Sequence, residues 1–90
     1  MAIQILSSPP PEPEELVRQL EGKILEAMPD AQATVTAVSP GHFEIEVVDA
    51  SFEGQTRVKQ QRAVYAAIAP LMAGDQAPVH AIDRMVTRPA

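Results

Sequence analysis

From Phe43 to Val47 the chain alternates apolar and acidic residues without a break. In an extended chain Phe43, Ile45 and Val47 fall on one side and Glu44 and Glu46 on the other, a period that a helix does not share. Pro40-Gly41 stands just before this run and reads as a turn. Over residues 31–39, Thr34, Thr36 and Val38 alternate with Ala33, Val35 and Ala37, which predicts a second half-buried strand. Two such strands about Pro-Gly predict an antiparallel hairpin.

A helix is predicted on each side of the hairpin. The first runs over about 13–28. Pro13 suits its first turn, and Glu12, Glu14 and Glu15 sit where the helix dipole is positive. Leu16, Leu20, Ile24, Ala27 and Met28 recur at helical spacing and form its apolar face. Gly22 weakens the middle, and Pro29 stops the helix. The second helix is predicted over about 57–72, capped by Thr56 after a connector at 49–56 that holds Phe52 and Gly54. Its buried side should carry Val58, Val64, Tyr65, Ile68, Leu71 and Met72, with Gln61 as an odd polar residue inside that stripe. Pro70 should end or bend it early, and Ala73-Gly74-Asp75 is a stop signal. A third strand is predicted over 79–87.

The expected architecture is therefore α/β (α+β), in the order helix-strand-strand-helix-strand. The crossover through the long helix is right-handed if the strands it joins are parallel neighbours. Ninety residues suffice for one domain. Four of the nine prolines lie between Ser7 and Pro13, so residues 1–11 are expected to be a flexible Pro-rich tail and 12–90 the single domain. Ile3, Ile5 and Leu6 read as a tail touching the surface, with a strand added to a sheet edge as the alternative.

Composition narrows the function. The formal net charge is −5, which argues against broad nucleic-acid or membrane-surface binding. There is no cysteine, so the chain holds no disulfide, no thiolate metal cage and no cysteine nucleophile. The apolar start Met1 to Leu6 lacks a basic n-region and is too short for a signal peptide, and no run approaches a membrane span. A cytoplasmic protein with no membrane association is expected. No nucleophile-His-Asp grouping or phosphate loop appears, so no enzyme is expected. Phe52 and Tyr65 are both expected in the core, Tyr65 with its hydroxyl at the rim.

Four stretches together resemble the BolA family: His42 to Val48, then Phe52-Glu53-Gly54, then Arg57-Val58-Lys59-Gln60-Gln61-Arg62-Ala63-Val64-Tyr65, then Val79-His80-Ala81-Ile82. The likeness spans roughly residues 13–87 in the same order. It implies a fold related to the class II KH domain, with a three-stranded sheet packed on helices. It also implies a protein that pairs with a monothiol glutaredoxin and shares with it a glutathione-bridged [2Fe-2S] cluster, in iron–sulfur and iron homeostasis. No cofactor is expected in the chain alone, and a homodimer is compatible with the sequence. The family's late-strand histidine, a cluster ligand, falls on His80. A second ligand comes in some branches from the loop between the first two strands, and the nearest candidate is His42.

Chemistry allows this. Imidazole is a suitable cluster ligand, and in place of thiolate it raises the reduction potential. With a reference pKa of ~6.5, it is largely neutral at pH 7 and able to ligate. Two histidines from this chain and two thiols from a partner and glutathione complete four ligands. The other implied activity is DNA-binding transcriptional regulation. Arg57, Lys59 and Arg62, at the start of the second helix and near Gly54, are the candidate contacts to DNA or another anion. The plain alternative is a solvated helix face. A KH-type RNA clamp needs Gly-x-x-Gly, and Phe52-Glu53-Gly54-Gln55 has a single glycine.

Overall fold

A computed structural model describes residues 11–90. The expectations for Ile3, Ile5 and Leu6 lie outside the described residues. Helix α1 spans Pro13–Ala27, with Pro13 in its first turn and Glu14 and Glu15 beside it. Leu16, Leu20 and Ile24, four residues apart, bury one stripe against the sheet. The helix ends one residue sooner than expected. Met28 caps it by donating its N–H to the Ile24 carbonyl (2.8 Å). Ala27 is exposed, not part of the apolar face.

Strands β1 (Gln32–Ser39) and β2 (His42–Val48) form the antiparallel hairpin, with Val35 opposite Ile45 and Ala37 opposite Phe43. Phe43, Ile45 and Val47 are all buried. β1 is an edge strand, and of its inward set Val35 is buried, Ala33 half-buried and Ala37 exposed. The chain then makes a short 3-10 turn, Ala50–Phe52, whose first N–H groups are served by the buried Asp49: its carboxylate accepts from the Ser51 N–H (3.1 Å). This turn drives Phe52 into the core.

Helix α2 spans Arg57–Met72, and the Thr56 hydroxyl caps it by accepting from the Lys59 N–H (3.2 Å). Its buried face differs from the expected one. Gln60, Val64 and Ile68 are buried, Leu71 and Met72 pack on the core half-buried, and Val58 and Tyr65 are 58% and 41% exposed. Each residue turns the helix by about 100°, so a stripe through Gln60 and Val64 puts Val58 on the far side. Gln60 can occupy the core because its amide is fully used. Its Nε2 donates to the carbonyls of Phe52 (3.2 Å) and Gln55 (3.0 Å), and its Oε1 accepts from the Thr87 hydroxyl (2.8 Å). The neighbouring Gln61 is half-buried and donates to the Met85 carbonyl (3.1 Å), which accounts for a polar side chain at that seam. Pro70 does not end the helix early. Pro70 and Ala66 are both exposed, so water can serve the Ala66 carbonyl that proline leaves without a donor.

Strand β3 (Ala81–Arg88) lies parallel to β2, in the sheet order β1-β2-β3. It starts two residues later than expected. Val79 is instead a core plug, buried and tied to the end of α2 through its N–H to the Leu71 carbonyl (3.2 Å). Both helices and the inner face of the sheet share one hydrophobic core. The result is a two-layer α+β fold in which a three-stranded sheet packs on two helices.

Candidate functional site

The end of the sheet where β1 turns into β2 is also the end where β3 begins. The turn is made by Pro40-Gly41, with Gly41 at φ +79°, a conformation open to glycine at little cost. The Gly41 carbonyl accepts from two consecutive amides, those of His80 (2.8 Å) and Ala81 (3.1 Å). His80 is thus fixed just before β3, and its side chain is exposed. Among the described residues no side-chain hydrogen bond engages its ring. Beside it lies a groove of about 700 Å³ between the start of α1, the hairpin turn and the loop before β3, with Leu16 and Phe43 at its apolar base and Glu12, Asp75 and His80 among its walls.

His42 opens β2 and is the register partner of Ala81, so His80 directly precedes the residue that pairs with His42. The side chain of His42 is exposed, and its Nδ1 is 2.9 Å from the Asp83 carboxylate. Asp83 is the extra residue in β3, between Ile82, which pairs with Phe43, and Arg84, which pairs with Glu44. A bulge of this kind re-aims one side chain, and here the carboxylate meets the imidazole. With Nδ1 taken up, Nε2 is the remaining donor atom of His42.

The donor set can be tested against a cluster. Among the described residues no three His, Asp or Glu side chains come together to hold a metal ion, and the chain has no thiol. Two imidazoles at one sheet end make half of a four-ligand set. His80 lines the groove and His42 does not, so either imidazole serves a [2Fe-2S] cluster only when another molecule supplies the remaining ligands.

The three cations of α2 do not form one patch. Arg57, Lys59 and Arg62 are all exposed. Lys59 and Arg62, three apart, are neighbours on the helix surface. Arg57 points elsewhere, into a small notch with Gln61, Met85 and Thr87 at the seam between α2 and β3. None of the three is in an ion pair among the described residues.

Asp83 and Gln60 escaped the reading from sequence, which gave Gly41 only as part of a turn. A signal existed for Asp83, because Ala81-Ile82-Asp83-Arg84-Met85 breaks the alternation with two adjacent polar residues, as a bulge requires. For Gln60 there was none. Its burial depends on carbonyls from the connector and a hydroxyl from β3, all fixed only in three dimensions.

Fold and site together define a small α+β module that offers two imidazoles and an open groove at one end of its sheet. The sequence profile of the BolA-like protein family matches residues 23–89, and the chain belongs to that family. It is 38% identical over 64 residues, covering 71% of this chain and 74% of the relative, to an "Uncharacterized protein in rpoN-murA intergenic region" from Acinetobacter guillouiae. Its fold is similar to that of BolA1 from Arabidopsis thaliana, with a TM-score of 0.65 at 22% identity over 81% of this chain and 89% of that one. It is also similar to BolA1 from Mus musculus, with a TM-score of 0.59 at 24% identity over 98% and 75% of the two chains. A bolA protein homologue from Coxiella burnetii gives a TM-score of 0.59 at 25% identity over 87% and 90%. No helix among the described residues is long and apolar enough to cross a membrane.

Proposed function

We propose that this chain is a binding module that pairs with a monothiol glutaredoxin and helps to hold or transfer a shared glutathione-bridged [2Fe-2S] cluster, in the cytoplasm where glutathione is plentiful. The carrying observation is the exposed His80 ring at the rim of a groove, one residue from the partner of His42, in a chain without thiols. His80 is the first ligand of this chain. His42 is the second, through Nε2, with Asp83 holding the ring by Nδ1. When bound, the cluster supplies one-electron chemistry and a transferable iron–sulfur unit. This chain's own part is to present two imidazole nitrogens on a rigid sheet end and to cover one side of the cluster from water.

The test mixes the purified chain with a monothiol glutaredoxin, reconstitutes with iron, sulfide and glutathione, and records visible circular dichroism. His80→Ala is expected to abolish the signature of the mixed complex, and His42→Ala to weaken it. A spectrum unchanged in His80→Ala removes the assignment.

A second reading, DNA-binding regulation, is supported by one feature, the neighbouring exposed cations Lys59 and Arg62. Two phosphate contacts predict weak binding with a shallow salt dependence. Reversing Lys59, Arg62 and Arg57 to glutamate should abolish a mobility shift on promoter DNA at low salt. Binding insensitive to all three discards this reading.

A further inference from the structure

We infer that Gly41 is a positioning residue for His80: the lack of a side chain at position 41 gives the imidazole its seat. A Cβ built on Gly41 would stand 2.6 Å from His80 Nδ1, 2.8 Å from Cγ and 3.2 Å from Cε1. An approach along the Nδ1 lone pair would leave Cγ and Cε1 equally far and clearly farther than Nδ1. Cγ is instead almost as close as Nδ1, so the ring lies across the Gly41 α-carbon with one face against it.

Two further constraints meet at the same residue. The Gly41 carbonyl holds the amides of both His80 and Ala81, which fixes the backbone on each side of the His80 α-carbon. The φ of +79° places the turn in a region that L side chains rarely adopt. Backbone hydrogen bonds therefore set where the histidine starts, and the bare glycine sets how its ring lies. A ring seated in this way has fewer rotamers to lose when it engages a partner, and pre-organising a ligating side chain is what a supporting residue contributes. His80 lines the groove together with Pro40 and Gly41, so a side chain at 41 would also enter that groove. The link from ring placement to cluster binding rests on the function proposed above; the placement itself does not.

Two substitutions separate clash from strain. Gly41→Ala brings both a Cβ and the cost of positive φ. Gly41→Asn brings the Cβ, while asparagine tolerates positive φ better. Each is made in the native chain and in His80→Ala, which removes the ring that the Cβ would strike. Thermal unfolding and the χ1 rotamer of His80 from side-chain NMR couplings are the readouts. The His80 χ1 populations should change in Gly41→Asn. Most of the loss in Tm caused by Gly41→Asn should vanish in the His80→Ala background, while Gly41→Ala should keep there the part that positive φ costs, a coupling that a double-mutant cycle reads directly. In a reconstituted complex with glutaredoxin, Gly41→Asn should also change the visible circular dichroism signature.

Unchanged His80 χ1 populations in a folded Gly41→Asn chain would overturn the inference. So would equal losses of Tm in both backgrounds, or failure of all four variants to fold, since the turn itself and not the ring would then set the cost. If the native chain forms no cluster with glutaredoxin, the proposed function falls, while the His80 rotamer and the coupling still decide the role of Gly41.

Discussion

Replacing Gln60 with leucine tests whether a polar side chain in this core stabilises it. The native amide makes three hydrogen bonds, to Phe52, Gln55 and Thr87. Their loss is not uniform. The Phe52 carbonyl keeps the Gln55 N–H (3.0 Å), and Gln55 is exposed, so its carbonyl can turn to water. The Thr87 hydroxyl is buried and has no other partner among the described residues. An unsatisfied buried hydroxyl costs about 1–3 kcal/mol, and the weakened carbonyl contact about 1 more. Burying the additional apolar surface of leucine returns about 1 kcal/mol. The net loss is about 2 kcal/mol, which in a domain of this size lowers Tm by roughly 10 °C. Urea titration gives the free energy, and Thr87→Val and the double variant complete the cycle. Thr87→Val alone strips Gln60 of one partner and should cost about 1 kcal/mol. The double variant leaves no orphaned group on either side and should be more stable than the sum of the singles by about 1 kcal/mol or more. If Gln60→Leu is neutral or stabilising, or if the two changes simply add, this account of the buried amide is wrong.

Three further expectations follow from the structure. Asp83→Ala should leave the urea midpoint nearly unchanged, because its pairing with His42 is exposed. In a reconstituted complex it should shorten the lifetime of the visible cluster absorbance by about tenfold, the usual scale for removing the group that orients a histidine ligand. Thr56→Ala removes the cap on α2 and should lower stability by about 1 kcal/mol in the same titration. Pro70→Ala restores a donor in the last turn of α2 and should raise the helical signal in far-UV circular dichroism, with Tm unchanged or higher; a lower Tm would show that the proline stabilises the helix end.

The hairpin could be read from sequence because its information is local. Phe43, Ile45 and Val47 share one face whatever packs on it, and Pro40-Gly41 marks the reversal. The same holds for α1, where Leu16, Leu20 and Ile24 stand out against charged neighbours. α2 lacked that contrast. Ala63, Ala66, Ala67 and Ala69 suit either side of a helix, so Val58 and Tyr65 drew the expected stripe away from Gln60. The polarity of a glutamine points it to the surface, and only the carbonyls converging on this one hold it inside. At the sheet end, His80 and His42 could be named from motif and residue type. The bulge that turns Asp83 onto His42, and the bare α-carbon beneath His80, arise from register and from a tight backbone approach.

The carbonyl at position 41 ties the hairpin to the strand that arrives after the whole of α2. Between those two points lie β2, the connector, all of α2 and the loop after it, and bringing such ends together carries an entropic cost that any clasp helps to offset. A molecule that grips the ring at position 80 therefore grips the clasp as well. Occupancy at this corner and integrity of the whole domain are one coupled equilibrium, in which saturation a hundredfold above the dissociation constant stabilises the native chain by about 2.7 kcal/mol. Melting temperature measured against partner concentration, in the native chain and in His80→Ala, then reports engagement at this corner without any spectroscopic label.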